Sequence, residues 1–341
     1  MAGNQPTIYD ISEKTGFSIA TVSRVINNSP KVTEATREKV LKAIEEAGFK
    51  PNVFARGLGL NTMKTVGIMC VDSSDIFLAR AVYLIEEKLR SNQYDTILCC
   101  TGYDINNMAS SMDLLISKKV DAVILVGSTF VGSTPESINY IINASKSVPV
   151  MILNAVVEHE NIYCFHSNDS ESIYRATVDF IKGGSRNIAY LYNSESFSAV
   201  RKLQGFTRAI EENNSSIDNG QSFYIRSSRS DIDGCSDEIS KILSDNPKFD
   251  AIVTSEDLLA MIAVKQARSL KRIVPEKLQI IGYNNSILAQ LSDPALSSID
   301  NRVDDLCDSI VDTLMDIFAG SKKPGIFSLS GLMVRRLTTR K

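Results

Sequence analysis

The sequence predicts an α/β chain, built as a small helical head joined to a larger two-lobed body with parallel sheets. Three observations predict it. Residues 8–48 read as three short helices, with Gly16 and Gly48 at their stops. From Thr65 onward, apolar strand-like runs alternate with amphipathic helical stretches, which implies right-handed crossovers onto parallel sheets. That alternation occurs twice, as two similar halves.

The bulk numbers agree with this division. A chain of 341 residues is too long for one ordinary core, so two or three folding units are expected. Hydrophobic residues make up 43% and charged residues 23%, an ordinary globular balance. No window has the apolar run of a membrane helix, and Met1 to Pro6 is short and polar, so a cytoplasmic location is expected. The net charge is -3, but residues 1–60 hold 8 Lys/Arg against 6 Asp/Glu, leaving 29 against 34 elsewhere. A mildly basic head on an acidic body suits a protein that meets nucleic acid with one end.

In the head, Ile8 to Thr15 forms the first predicted helix, with Ile8 and Ile11 inward. Gly16 supplies the tight turn, and Ser18 caps a second helix from Ile19 to Asn27 whose inner face is Val22, Val25 and Ile26. Small Ser12 lies four before Gly16 and Val22 six after it, the spacing of a helix-turn-helix. A third helix follows Thr33 and runs to Glu46, with Val40, Leu41 and Ile44 as its apolar face. On the exposed side of the second helix, Ser18, Thr21, Ser23 and Asn27 carry short donors suited to phosphates. Arg24 can fork onto guanine O6 and N7.

The body opens with a strand at Val66–Val71 and a helix at Phe77–Ser91. A strand at Thr96–Cys100, a helix at Met108–Lys118 and strands at Ala122–Val126 and Val150–Leu153 complete the first half. The second half has strands near Ile188–Tyr192, Phe223–Ile225, Ala251–Thr254 and Leu278–Tyr283. Its helices lie near Ser170–Ile181, Ala199–Asn213, Cys235–Leu243 and Asp257–Arg268. Two such halves form a clamshell whose cleft, at the carboxyl ends of the strands, would hold a ligand.

Catalytic kits are missing. There is no Gly-x4-Gly-Lys-Ser/Thr loop, no Gly-x-Gly-x-x-Gly, no His-Glu-x-x-His and no Gly-x-Ser-x-Gly, so the chain does not read as an enzyme. Two histidines, His159 and His166, and 6 cysteines with no Cys-x-x-Cys pair point to no metal, no cofactor and reduced thiols, most of them buried.

The string Ile8-Tyr9-Asp10-Ile11-Ser12, with Gly16-Phe17-Ser18-Ile19-Ala20-Thr21-Val22-Ser23-Arg24-Val25-Ile26-Asn27, resembles the head of the lactose-repressor/galactose-repressor family of transcriptional regulators. Thr36-Arg37-Glu38-Lys39-Val40 and Pro51-Asn52-Val53-Phe54-Ala55-Arg56-Gly57-Leu58 fit the same pattern, and the likeness continues through the body to Leu337. The resemblance implies a helix-turn-helix head at 1–50, a hinge helix and linker at 51–63, and a periplasmic-binding-protein-like body at 64–341. Lobe one would span about 64–160 and 297–323, and lobe two about 161–296 and 324–341. The chain would thus cross between lobes near Glu160, Leu296 and Pro324, with Val303–Phe318 a helix returned to lobe one.

It also implies roles. Ile19, Ala20 and Arg24 would read bases, and Tyr9, Ser18, Thr21, Ser23 and Asn27 would hold phosphates. Asn52, Ala55, Arg56 and Leu58 would enter the minor groove, Leu58 as a wedge that kinks the duplex. So short a hinge helix would form only when paired on DNA. Phe77, Asn154, Lys202, Arg229, Glu256, Asp257 and Asn284 would line the effector cleft. Several depart from the family's usual residues: Lys202 stands for Arg, Asn154 and Asn284 for Asp, Glu256 for Asn, and Arg229 for an aromatic. Lys202 and Arg229 together would favour an anionic ligand. The implied function is a sequence-specific DNA-binding regulator, a repressor of a carbohydrate-related operon, controlled by a small sugar-like effector in the cleft between the lobes. With no leucine heptad after Leu337, a homodimer on a two-fold symmetric operator is expected. The alternatives are a co-repressor-dependent regulator of the same fold and a solute-binding protein without a DNA function.

Overall fold

The computed structural model describes residues 6–27, 29–49, 62–132 and 134–340. The chain falls into two compact units, a head and a body that begins near residue 65. No described helix is long and apolar enough to cross a membrane. The expected hinge residues Asn52, Ala55, Arg56 and Leu58 lie outside the described residues.

The head is three helices: α1 (Ile8–Thr15), α2 (Ile19–Ile26) and α3 (Glu34–Ala47). The Asp10 carboxylate accepts from the Thr7 amide at 2.6 Å and from its hydroxyl at 2.8 Å, closing the first turn of α1. Gly16 ends α1 in the left-handed region at φ 72°, where a side chain would be strained. The Ser12 hydroxyl donates to the Phe17 carbonyl at 2.6 Å, so the small residue at this crossing also pins the turn. Ser18 then caps α2 by accepting from the Thr21 amide at 3.2 Å. Ile11, Val22, Val25, Val40 and Ala43 form the buried core, with Ile8, Phe17, Ile26 and Ile44 packed on it. Leu41, expected inward, is instead 49% exposed. Val40, Ala43, Ile44 and Ala47 define the inner stripe of α3, and Leu41 falls one residue off it.

The body holds two six-stranded sheets. Sheet one uses β1 (Thr65–Cys70), β2 (Asp95–Cys100), β3 (Ala122–Val126), β4 (Val150–Leu153), β5 (Ile162–Ser167) and β11 (Ile326–Leu329), in the order β2-β1-β3-β4-β5-β11. Sheet two uses β6 (Asn187–Tyr192), β7 (Asn219–Tyr224), β8 (Ala251–Thr254), β9 (Gln279–Tyr283), β10 (Ser297–Asp300) and β12 (Leu332–Val334), ordered β7-β6-β8-β9-β10-β12. Each lobe therefore repeats a doubly wound order, closed by a strand from the C-terminal part of the chain. The central strands β3, β4, β8 and β9 are buried along their whole length, as helices on both faces require. The edge strand β2 is mostly exposed or half-buried and reads as more polar.

Between the strands run α4 (Ile76–Ser91), α5 (Ile105–Ser117) and α6 (Asn139–Ser145) in lobe one, with α12 (Val303–Phe318) packed on α4. Lobe two carries α7 (Asp169–Lys182), α8 (Phe197–Glu212), α9 (Ile232–Asp245), α10 (Asp257–Ser269) and the short α11 (Ile287–Leu291). Capping carboxylates set several starts: Asp75 accepts from the Leu78 amide at 2.9 Å, Asp104 from Asn106 at 2.7 Å and Asp231 from Gly234 at 2.9 Å. Asp121 accepts from Thr62 Oγ1, Met63 N and Thr65 N, each at 3.0 Å, and fixes the chain where it enters β1.

The expected lobe boundaries are corrected here. Val150–Leu153 does not close lobe one, because β5 pairs in parallel beside it, Ile152 opposite Cys164. The chain crosses after Ser167 rather than near Glu160. It crosses back after Asp300 rather than near Leu296, because β10 belongs to sheet two beside β9. The third crossing falls between Leu329 and Leu332 rather than near Pro324, because β11 pairs with β5 and β12 with β10. β10, β11 and β12 are short, and β11 and β12 sit at sheet edges where no continuous apolar run is needed; β5 is a full-length, largely buried strand absent from the expected set. Of the cysteines, Cys70, Cys164, Cys235 and Cys307 are buried and free, as expected of most of them, while Cys99 is half-buried and Cys100 exposed.

Candidate functional site

Two surfaces gather the residues singled out by the sequence. On the head, Ile19, Ala20 and Arg24 are exposed on α2, and Ser23 and Asn27 are half-buried beside them. Their spacing puts Ala20, Ser23, Arg24 and Asn27 on the face opposite Val22 and Val25, with Ile19 at its border. Burial of Val22 and Val25 thus orients the helix and forces an aliphatic, an alanine and an arginine into solvent. Ile19 is 40% exposed, and Tyr9 on α1 is 69% exposed. Such a face suits the major groove, where aliphatics meet thymine methyls and a guanidinium forks onto guanine. The Ser18 and Thr21 hydroxyls lie 3.0 Å apart, and Asn27 Nδ2 donates to Ser23 Oγ at 3.4 Å. These groups remain at the rim of the helix.

In the body, the strand carboxyl ends of the two sheets are joined by contacts between lobes. The Ser128 hydroxyl, after β3, donates to Ser196 Oγ, at the start of α8, at 3.0 Å. The larger contact centres on Arg229. Its Nε donates to Glu256 Oε1 at 3.1 Å and its Nη2 meets Oε2 at 2.8 Å, a two-pronged fork. Its Nη1 bonds Asp75, the cap of α4 in lobe one. Glu256 Oε1 also accepts from Asn193 Nδ2 at 2.6 Å. Burial works against the Arg229 charge, but Glu256 and Asp75 more than offset it and raise its pKa.

Lys202 is buried on α8. Its Nζ donates to the Ser255 carbonyl at 3.0 Å and sits 3.7 Å from the centroid of the Tyr283 ring. Burial lowers its pKa, with Asp169 and Glu256 opposing. Tyr283 in turn donates to Asp169, which also accepts from the Ser198 hydroxyl at 2.6 Å. Both cations expected to attract an anion are therefore already engaged by carboxylates, a carbonyl and a ring.

The remaining expected residues divide. Asn154 follows β4 at φ 67°, buried, its amide donating to the Phe165 carbonyl at 2.7 Å. Phe77 is half-buried in the first turn of α4, two residues from Asp75. Asn284 is half-buried and its Oδ1 accepts from Asn301 Nδ2 at 3.1 Å. Asp257 is turned into lobe two, where Ser286 N, Ser286 Oγ and Ser298 Oγ donate to it at 2.6, 2.8 and 2.5 Å. It serves the frame of the cleft more than its surface.

Four side chains share a property the sequence did not disclose. Asn154, Asn193, Ser255 and Asn301 are the first residues after β4, β6, β8 and β10. In each, a buried side-chain oxygen has no hydrogen-bond partner among the described residues. Buried polar atoms are normally paired, so four unpaired oxygens that each directly follow a strand, one in lobe one and three in lobe two, stand out. Asp75, Asn193, Ser255, Asn301, Asp169 and Tyr283 were absent from the expected set. For Asn193, Ser255 and Asn301 the position just after a strand was the available signal.

No described cluster of His, Cys, Asp and Glu could hold a metal ion. Residues 7–52 match the bacterial regulatory proteins of the lacI family, and residues 178–339 match a periplasmic binding protein-like domain. The chain is 44% identical over 332 residues to an HTH-type transcriptional regulator of Lachnoclostridium phytofermentans, covering 97% of this chain and 99% of the relative. It is 28% identical to catabolite control protein A of Priestia megaterium, covering 86% of each. Among solved structures, a lac repressor dimer bound to operator and the anti-inducer ONPF matches with a TM-score of 0.86. The identity is 20%, covering 98% of this chain and 99% of that one, and it bears on the fold alone. With a helix-turn-helix head, a doubly wound two-lobed body and a near full-length relative, this chain belongs to the lacI family of bacterial regulatory proteins and is a DNA-binding transcriptional regulator rather than an enzyme.

Proposed function

We propose that the chain represses a carbohydrate-related operon from the cytoplasm, as a homodimer on a two-fold symmetric operator, under control of a neutral polyhydroxyl effector held between the lobes. In this reading Ile19, Ala20 and Arg24 read bases, and Tyr9, Ser18, Thr21, Ser23 and Asn27 hold phosphates. Asn52, Ala55, Arg56 and Leu58 of the 51–63 hinge enter the minor groove. The effector contacts are Phe77, Asn154, Lys202, Arg229, Glu256 and Asn284, with Asn193, Ser255 and Asn301 added and Asp257 behind them.

The observation that carries the effector half is the four unpaired oxygens on Asn154, Asn193, Ser255 and Asn301, each just after a strand. Asparagine oxygens accept hydrogen bonds, and a polyol offers many hydroxyl donors. A phosphate dianion offers none, and would have to compete for cations that Glu256, Asp75 and Ser255 already hold. Relatives lend support: one solved structure is a CelR–cellobiose complex, and another, from Alkaliphilus metalliredigens, is complexed with D-xylulofuranose.

The test is selection of binding sites from a random duplex pool, followed by titration of the selected site with cellobiose, D-xylulose and their phosphorylated counterparts. The expected result is a two-fold symmetric site whose affinity a neutral saccharide changes. Failure to enrich any symmetric site would sink the DNA half. A response to sugar phosphates but to no neutral sugar would sink the effector half.

A further inference from the structure

We propose that Asp75, Arg229 and Glu256 form an ionic latch that closes the two lobes without effector. Arg229 would thus be an internal counter-ion that any effector must displace or fit around. The three residues come from distant parts of the chain. Asp75 caps α4 in lobe one, Glu256 precedes α10 in lobe two, and Arg229 lies between β7 and α9. The Asp75 and Glu256 side chains are only 8% and 9% exposed, whereas that of Arg229 is 41% exposed.

That asymmetry gives the latch its direction. The carboxylates are the buried partners, and the guanidinium reaches them from the open side of the cleft. Two ionised carboxylates facing each other across the cleft, both largely removed from water, repel strongly unless a cation stands between them. Arg229 uses its three nitrogens for that purpose, forking onto Glu256 and bonding Asp75 with the third. Asp75 is held on the other side by its capping bond to the Leu78 amide at 2.9 Å, and Glu256 by Asn193 at 2.6 Å. Neither carboxylate can turn away without losing a second bond. The Ser128–Ser196 hydrogen bond at 3.0 Å runs parallel to the latch, but it is neutral and single.

The latch also sets the charge of the ligand. An anion drawn to Arg229 would have to pull it from Asp75 and Glu256, leaving both buried without a counter-ion. A hydroxyl-bearing ligand can instead donate to the outward lone pairs of the carboxylates and leave the fork in place. This consequence rests on the cleft reading above. The closure itself does not, and is tested without any effector.

The experiment measures the distance between lobes in the full chain without ligand, by paired spin labels at Asn107 and Asp237, with Cys99 and Cys100 changed to Ser. Both label sites are exposed, on α5 and α9. The expected wild-type result is one narrow, short distance distribution. Arg229→Met should broaden it and move it to longer distances, and Arg229→Lys should fall between. Because Arg229→Met leaves two buried carboxylates unpaired, the triple variant Asp75→Asn/Arg229→Met/Glu256→Gln guards against a folding artefact. It removes the charges and the latch together and should also be open. Distributions that coincide between wild type and either methionine variant would overturn the latch. They would leave the reading of the cleft as an effector site standing, just as failure of every saccharide to bind would leave the latch standing.

Discussion

Asp257 and Ser298 meet at 2.5 Å inside lobe two, the serine hydroxyl donating to a carboxylate that is almost sealed from water. Ser286 donates to the other oxygen through both its amide and its hydroxyl, so one acid joins the start of α10 to β10 and to the loop after β9. Burial nonetheless dominates and pushes the Asp257 pKa up to about 6. With a folded pKa above the unfolded value, the folded state holds the proton more tightly. The resulting stability is fully present below about pH 4 and is lost as pH rises through about 6. The loss is of order 2–4 kcal/mol. Urea unfolding of wild type and Asp257→Asn between pH 4 and 7 measures it. The difference in stability between the two should grow with pH in favour of the variant, and parallel profiles would refute the assignment.

Gly205 marks where α8 crosses α7. A Cβ there would lie 2.1 Å from the Ser170 carbonyl oxygen, a backbone atom that cannot swing aside. Gly205→Ala should therefore push the helices apart and cost about 1–3 kcal/mol, since close-packed elements do not yield freely. For a body of this size each kcal/mol lowers Tm by about 2–4 °C. The neighbouring Phe206 stacks on Tyr190 at 5.2 Å, so aromatic circular dichroism should change as well. An unchanged Tm would show that the crossing is looser than the geometry implies.

These two sites show what was legible in sequence. The start of α10 at Asp257 was readable as a local pattern, whereas Gly205 gains its meaning only from the crossing of α8 over α7. Also readable were β3 and β4, whose apolar runs have no competing interpretation. The strands β5, β10, β11 and β12 were missed. Ser297-Ser298-Ile299-Asp300 is short and mostly polar, and Ile326-Phe327-Ser328-Leu329 is short and partly exposed; pairing with β9, and with β5 far back in the chain, makes them strands. The lobe crossings were placed too early for that reason. The cleft was half legible. Lys202 and Arg229 were read as attractors for an anion because their own residue types say so. Their partners are remote in sequence, with Asp75 154 residues before Arg229. Asn193, Ser255 and Asn301 carry no motif and become conspicuous only when their oxygens prove to be unpaired.

The cysteines give a prediction that needs no ligand. Cys100 is exposed on the edge strand β2, and burial raises the pKa of Cys70 to about 11 and that of Cys307 higher still. A buried, protonated thiol is a poor nucleophile. Native protein treated with a thiol-reactive disulfide should therefore label Cys100 quickly and Cys99 more slowly. Cys70, Cys164, Cys235 and Cys307 should react only after unfolding. Mass mapping of labelled peptides decides it, and early labelling of Cys70 or Cys307 would contradict the packing of lobe one.

The head allows base reading to be separated from folding. Ser18 accepts from the Thr21 amide, so Ser18→Ala should destabilise the head by about 1 kcal/mol and weaken all DNA binding with it. Arg24 is exposed, so Arg24→Ala should leave thermal stability unchanged. It should cost about 1–3 kcal/mol on the selected operator and much less on random duplex. Competition titrations at fixed salt compare the two, because phosphate contacts make every affinity salt-dependent. Equal losses on operator and random DNA would make Arg24 a phosphate contact. The base-reading role would then fall to Ile19 and Ala20, through thymine methyls alone.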